Sequence, residues 1–294
     1  MKFLVGFPAG ASLDTMTRLV AERMRVTLGQ PVVVENRPGA AGQIAMTALK
    51  NSAPDGLTLV MTPLVTVVTA PHIQSLPYDA FADFAPVSHT ANFLFAFGVN
   101  AQVPANTLAE YVALVKRDAK YGNYSSAAPG SLPHFFSLLF ADKAGLGMSM
   151  NHIGYKGSAQ AMTDLLGGQI AAFMGVVSDL APQHKAGKLR VLATSGGQRA
   201  RDLPEVPTFM ELGYAIEGAG WYAAYAQAKT PRDAVERLSG AINEALRSPD
   251  VRQKIEAMGL EPTGTTPAEL ARIHRSDYDK WGPVIKASGF KPGS

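Results

Sequence analysis

The fold is decided by the stretch Phe7-Pro8-Ala9-Gly10-Ala11-Ser12-Leu13-Asp14, which follows a short apolar run at residues 3–5 and precedes a helical pattern. A strand that leads through a small-residue loop into a helix presents several backbone N–H groups toward one point. With the positive end of the helix dipole, these donors suit an anion such as a carboxylate or a phosphate. An ordinary turn between a strand and a helix uses the same small residues, so this stretch alone leaves both interpretations open.

Alternating strand and helix patterns follow the opening stretch. Apolar residues recur at helical spacing over residues 16–28, and Gly29 ends this helix. Residues 32–34 predict a buried strand, residues 44–51 a second helix and residues 57–61 a third strand. This order predicts an α/β fold with a parallel sheet that helices cover on both faces.

The rest of the chain continues the α/β pattern. Further strands are predicted at 93–99, 121–127, 169–177, 189–194 and 221–226, and further helices at 104–120, 135–140, 159–166, 231–246, 250–258 and 267–288. Helix starts are marked by the capping boxes Thr107 with Glu110 and Thr266 with Glu269, and by the cap Thr230.

Two later loops repeat the design of the opening stretch. Small residues at 129–131 and at 154–158 each follow a strand candidate and precede a helix. Ligands of α/β sheets bind at the carboxyl ends of the strands. We therefore expect two facing α/β lobes, residues 1–98 with 222–294 and residues 99–221, whose cleft brings the three loops together.

Composition excludes several classes of protein. The 294 residues are 47% apolar and 17% charged, which is typical of a globular chain. The net charge of +3 without a Lys/Arg block indicates no nucleic-acid partner. The chain has no cysteine, and it has no apolar run of roughly 18–20 residues, so we expect it not to be membrane-embedded. Met1 enters the first strand directly, so no signal peptide is expected in this sequence.

Motifs for catalysis and cofactors are weak. Ser131, His134 and Asp164 could form a triad on paper, but no G-x-S-x-G elbow is present. The six histidines show neither metal-ligand spacing nor an H-E-x-x-H motif, and residues 218–223 match G-x-G-x-x-A only formally. We expect no metal, no cofactor and no enzyme activity, with a Ser/His hydrolase kept as an alternative.

Eight stretches, collinear over essentially the whole chain, carry a family resemblance. They are residues 7–14, 29–42, 54–56, 76–79, 155–158, 166–169, 186–190 and 203–208. The first resembles the PFPPGGSTD loop of the Bug family, and the second is similar to that family's second signature. Bug proteins are extracytoplasmic solute receptors of tripartite tricarboxylate transporters.

The resemblance implies a bilobed periplasmic-binding-protein fold, with a cleft that closes on a small carboxylate, a dicarboxylate or an aromatic carboxylate among them. It implies a monomeric, periplasmic receptor that hands its ligand to membrane transporter subunits, without being an enzyme. A sensing module for a membrane signalling partner remains an alternative. Because family members are exported, we expect a processed or trimmed form here, with a cytosolic descendant as the alternative.

The resemblance also implies a set of ligand-binding residues. The first loop supplies Phe7, Ala9, Gly10, Ala11, Ser12 and Asp14, and the middle lobe supplies Gly130, Ser131, His134, Tyr155, Gly157, Ser158 and Phe173. The charge of Asp14 would repel a carboxylate ligand, so we expect its side chain to cap the helix or to face outward.

The sequence departs from the family pattern inside these loops. Ala11 replaces a glycine, Leu13 replaces a small polar residue, and Leu132 and Pro133 are larger than expected. We therefore expect a ligand with a less polar body. Its candidate walls are Phe7, Phe93, Phe173 and Trp221.

Overall fold

The structure is a computed structural model that describes residues 1–126, 128–155 and 157–290. The chain forms two compact units. The first unit consists of Met1–Asn92 with Trp221–Ile285, and the second of Phe93–Gly220 with the chain from Lys286 onward. The prediction placed the boundaries between the two lobes after residues 98 and 221. It also placed the whole C-terminus in the first lobe.

The helices and strands alternate along most of the chain. In chain order they are β1 (Lys2–Val5), α1 (Ser12–Leu28), β2 (Val33–Asn36), α2 (Gln43–Lys50), β3 (Thr58–Pro63), α3 (Ala70–Ile73), β4 (Phe84–Asn100), α4 (Leu108–Arg117), β5 (Asn123–Ser126), α5 (Leu132–Lys143), β6 (Asn151–His152), α6 (Ser158–Leu166), β7 (Ala172–Val176), α7 (Val177–Lys185), β8 (Leu189–Thr194), β9 (Ala219–Gln227), α8 (Arg232–Arg247), α9 (Pro249–Glu256), β10 (Glu261–Pro262) and α10 (Pro267–Ser288).

The first unit is built on a mixed sheet. β1 pairs in parallel with β2 and with β3, as the alternating pattern predicts. β3 pairs antiparallel with β9, and β10 pairs antiparallel with β4, so the sheet is not parallel throughout. β2 ends the strand order, and its Val33 is 60% exposed, so the prediction of a buried strand there is wrong.

The strands of the second unit also pair in both parallel and antiparallel directions. β7 pairs in parallel with β5 and antiparallel with β4, while β5 pairs in parallel with β6 and β8 pairs antiparallel with β4. Phe173 of β7 is fully buried in a core cluster with residues of α6, α7 and β8. α7, which contains Pro182, is a helix that was not predicted.

Helix ends follow their local signals with one exception. α1 ends at Gly29, whose φ of +66° suits a residue without a Cβ. Thr266 and Glu269 form the predicted capping box, because each side chain accepts the other's backbone N–H at 3.2 and 2.8 Å. The predicted cap Thr230 is wrong, since Pro231 precedes α8 and Thr230 Oγ1 is buried without a partner among the described residues.

Four histidine rings, three of them buried and one half-buried, have a lowered pKa and are neutral at pH 7. His89 and His274 lie buried in the first unit, and the second unit holds buried His134 and half-buried His152. Burial lowers the pKa of each to about 4, and the neighbouring His134 ring adds to the effect at His152. In the folded protein these rings therefore stay neutral at pH values just below 6.5, where the histidines of an unfolded chain become protonated.

Acid should destabilise the protein through these rings. Because their folded pKa lies below the unfolded value, the stability that they contribute is complete above pH 6.5 and falls as the pH drops toward 4. The expected slope is up to about 1.4 kcal/mol per pH unit for each ring, partly offset by Asp179 and Asp277, whose burial raises their pKa. Urea unfolding at pH 7, 6 and 5 measures this loss.

The variant His274→Gln serves as the control for that series. Its amide can still donate to the Val67 carbonyl oxygen, which His274 Nε2 contacts at 2.9 Å, but it cannot titrate. The slope of this variant should be smaller by one ring's share. An unfolding free energy that stays constant from pH 7 to pH 5 would contradict the assignment.

Candidate ligand-binding loops

The first loop joins β1 to α1 in the first unit. Residues 8–11 are exposed, and Gly10 has a φ of +88°, which side chains other than glycine rarely adopt. α1 begins at Ser12, and Ala11 at its N-cap offers no side-chain acceptor. The first-turn amides of α1 therefore lack the side-chain partner that usually satisfies such groups.

A buried carboxylate holds this loop in place. Asp14 is only 3% exposed, and its Oδ2 accepts the Gly10 N–H at 2.9 Å and the Arg18 Nε–H at 3.0 Å. Its Oδ1 accepts from Asn36 Nδ2 at 2.8 Å. Burial acts to raise the pKa of Asp14, but the hydrogen bonds from Arg18, Gly10 and Asn36 outweigh it and hold the pKa below its ordinary value.

Asn36 connects this carboxylate to the next strand. It lies at the end of β2, donates from Nδ2 to the Phe7 carbonyl oxygen at 3.2 Å and accepts at Oδ1 from Arg18 Nη2 at 2.8 Å. Asp14 thus faces the loop's own donors, in keeping with the expected capping role, and half-exposed Arg18 balances its charge.

A pair of hydroxyl groups stands at the start of α1. Ser12 Oγ lies 3.0 Å from Tyr222 Oη, on β9 of the same unit. Burial raises the pKa of Tyr222, so its hydroxyl stays protonated and can donate. Tyr222 was not predicted as part of this site, because nothing in local spacing connects residues 12 and 222.

Glycines let the second signature loop pack against the first. An ideal Cβ on Gly6 would lie 2.6 Å from the Gly42 Cα, so the two backbones touch. A Cβ on Gly42 would lie 2.9 Å from Thr66 Cγ2 and 3.1 Å from Phe7 Cε2. These glycines serve close packing, and Phe7 is half-buried against Gly42.

The second loop, between β5 and α5, repeats this arrangement in the second unit. Gly130 has a φ of +75°, and its N–H donates to His134 Nδ1 at 3.0 Å. Ser131 stands at the N-cap of α5 without capping it, because its hydroxyl donates to the Ala128 carbonyl oxygen at 2.6 Å. As with Gly10 and Asp14, a positive-φ glycine gives its N–H to the residue four positions ahead.

His134 is held inside a cluster of rings. Its centroid lies 4.0 Å from that of His152, whose Nε2 contacts Ser126 Oγ at 2.9 Å. Because His134 Nδ1 accepts a hydrogen bond, the neutral ring carries its proton on Nε2. The Nε2–H is therefore the one hydrogen-bond donor of the neutral His134 ring.

The third loop precedes α6, and its Tyr155 side chain is hydrogen-bonded to a residue of that helix. Tyr155 Oη donates to Asp164 Oδ2 at 2.5 Å, and this hydrogen bond, with some burial, raises the pKa of Tyr155 to about 12. α6 begins at Ser158, and Gly157 at its N-cap supplies no side-chain acceptor.

The proposed triad residues are engaged elsewhere. Ser131 donates to the Ala128 carbonyl oxygen, His134 Nδ1 accepts from Gly130, and Asp164 accepts from Tyr155. These bonds provide no Ser–His–Asp relay. The hydrolase alternative therefore receives no support from the geometry of the second unit.

Several apolar side chains that were expected to line the ligand site are buried in the core. Phe173 is fully buried, and Trp221 is 2% exposed and donates its indole N–H to Asp277 Oδ2 at 2.7 Å. Leu13 and Leu132 are also buried, at 4% and 3%. Their side chains add no apolar bulk to the loop surfaces, so the argument for a less polar ligand loses its main support.

The described residues hold neither a metal-binding cluster nor a membrane-spanning helix. Within residues 1–126, 128–155 and 157–290, no group of three or more His, Asp or Glu side chains could hold a metal ion. None of the helices in these described ranges is both long and apolar enough to span a membrane.

Comparison with known proteins identifies the family. Residues 16–290 match the family model TctC, described as the tripartite tricarboxylate transporter family receptor. The chain belongs to this family. It is a solute-binding receptor, and the resemblance drawn from the eight stretches is confirmed.

Relatives extend over the full chain. Protein BugT of Bordetella pertussis is 33% identical over 296 residues, which cover 99% of this chain and 90% of that protein. The structure of MatC (Rpa3494) from Rhodopseudomonas palustris with bound malate has a TM-score of 0.78 at 27% identity, and the match covers 97% of this chain and 98% of that chain. R. palustris Rpa4515 with adipate has a TM-score of 0.82 at 27% identity and covers 98% and 97%. The predicted α/β fold of periplasmic binding proteins is confirmed.

Removing the buried carboxylate should destabilise the first loop. Asp14→Ala leaves the Gly10 N–H and one of the two N–H groups of Asn36 Nδ2 without their acceptor, so we expect a loss of about 2–3 kcal/mol in unfolding free energy. Urea unfolding measures the loss. Asp233→Ala, which removes an exposed first-turn acid from α8, should cost at most about 0.5 kcal/mol. Equal losses in the two variants would show that the Asp14 hydrogen bonds do not stabilise the loop.

Proposed function

We propose that this TctC-family receptor works in the periplasm, captures a small dicarboxylate and hands it to membrane subunits of a tripartite transporter. The support for a dicarboxylate comes from similar proteins, because MatC has bound malate and Rpa4515 is found with adipate. The support for the transporter partner and the compartment comes from the family.

The start of α1 carries the proposal. Its first-turn amides have no side-chain cap, the Ser12–Tyr222 hydroxyl pair stands beside them, and the loop before them is exposed. A ligand carboxylate there would meet hydrogen-bond donors and the positive end of the helix dipole. The charge of Asp14 does not oppose this binding, because Arg18 and Asn36 already pair with it.

The contacts that we propose follow from these geometries. Taken by itself, the first unit offers Phe7, Ala9, Gly10, Ala11 and Ser12 as proposed ligand contacts. Taken by itself, the second unit offers Gly130, Ser131, His134, Tyr155, Gly157 and Ser158. Tyr222 joins this set through Ser12. Asp14 supports the first loop without touching the ligand, and Phe173 is left out because it is fully buried in the core.

Isothermal titration of ligand-free protein with malate, adipate and benzoate tests the proposal. We expect saturable binding of at least one dicarboxylate. Ser12→Ala should weaken it by about 0.5–1.5 kcal/mol, the net contribution of one hydrogen bond. Thr15→Ala, which changes an exposed residue three positions after Ser12 on α1, should leave the affinity unchanged.

Either of two results would contradict the proposal. The first is the absence of heat and of thermal stabilisation with every carboxylate. The second is binding of a dicarboxylate with the same affinity in the Ser12→Ala and Thr15→Ala variants, which would remove the first loop from the site.

A further inference from the structure

The end of α10 returns the chain to the second unit. Ile285 is the last residue of the first unit, and α10 ends at Ser288. Gly289, with a φ of +65°, turns the chain, and the Phe290 N–H donates to Ser288 Oγ at 3.2 Å. This local geometry fixes the direction in which the Phe290 side chain leaves the helix end.

The Phe290 ring packs edge-on against the start of α5. Its centroid lies 5.7 Å from that of His134 and 5.7 Å from that of Phe135, with interplanar angles of 79° and 85°. Edge-to-face contacts of this kind are the favoured aromatic geometry. His134 is thereby bordered by His152 on one side and by Phe290 on another.

The same ring covers the turn of the second loop. A Cβ placed on Gly130 would lie 2.7 Å from both Cε1 and Cζ of Phe290. The equivalent glycine of the first loop, Gly10, has nothing within 4 Å of such a Cβ. Both glycines have a positive φ. The two loops therefore share their backbone turn and differ in the aromatic ring that covers Gly130.

We propose that Phe290 is a positioning residue for ligand binding, which holds Gly130 and the His134 ring of the second loop in their binding geometry. This inference rests on the proposed function of that loop. Phe290 acts through His134 and Gly130. The C-terminal end of α10 thus completes a binding loop that begins about 160 residues earlier in the chain.

Histidine NMR titration of the full chain tests the positioning without any ligand. Burial lowers the His134 pKa to about 4, and among the described residues His152 is the titrating ring in contact with it. Phe290→Ala opens one side of the ring, so the His134 pKa should rise toward its ordinary value near 6.5. Phe290→Leu, which keeps apolar bulk, should restore most of the low value. An unchanged His134 titration in Phe290→Ala would overturn the inference.

Phe81→Ala is the matched control. Phe81 stacks on a different histidine, His274, with centroids 4.3 Å apart, and lies in the first unit. Its removal should shift the titration of His274 and leave His134 unchanged. Equal shifts of His134 in the two alanine variants would indicate a general loosening of the protein and would contradict a specific role for Phe290.

A double-mutant cycle tests the contact with Gly130. In the native background Gly130→Ala meets both the strain of a positive φ and the ring, whereas in Phe290→Ala only the strain remains. The Gly130→Ala penalty in urea unfolding should therefore be smaller in the Phe290→Ala background. The Gly10→Ala penalty should be the same in both backgrounds, and additive effects at Gly130 would overturn the contact.

Ligand titration completes the test. For a dicarboxylate that binds the native chain, Phe290→Ala should weaken the affinity by about tenfold, and Phe290→Leu by much less. If no carboxylate binds the native chain, the proposed function fails while the histidine titration still decides the positioning. If binding is normal in Phe290→Ala although His134 shifts, the function stands and the positioning role for binding is refuted.

Discussion

The first unit depends on one buried charge. A carboxylate as enclosed as Asp14 costs free energy unless its oxygens are fully hydrogen-bonded. Its partners come from three places: the Gly10 amide in the loop, the Arg18 guanidinium one turn along α1, and the Asn36 amide at the end of β2. Satisfying this single group therefore fixes the loop, the helix start and the adjacent strand relative to one another, and it does so with the charge already balanced.

The second unit solves the same geometric problem without a charge. Gly130 gives its N–H to a neutral imidazole at His134, whereas Gly10 gives it to a carboxylate. Both arrangements leave an uncapped helix start beside a left-handed glycine. Neither loop presents an unbalanced negative charge, which is the condition that a receptor for anions must meet. The repeated arrangement thus connects local backbone geometry to the proposed class of ligand.

Local signals predicted most of the fold. β8 and α10 have the predicted bounds because periodicity and a capping box act within a few residues. α7 was missed because Pro182 interrupts its pattern, and the tertiary fold tolerates that proline. The three loops of the candidate site were predicted from their strand, small-residue loop and helix pattern and from the family resemblance. Tyr222 and Phe290 were not predicted, because their contacts join residues far apart in the chain.

The central claim is that the start of α1 receives a ligand carboxylate. Amide NMR spectra of the ¹⁵N-labelled chain provide the direct test. They are recorded on ligand-free protein during titration with a dicarboxylate that binds it. The account predicts that the amide signals of Ala11, Ser12 and Leu13 are among those that shift most, because a carboxylate would accept hydrogen bonds there. Saturable binding that leaves these three signals in place would contradict it.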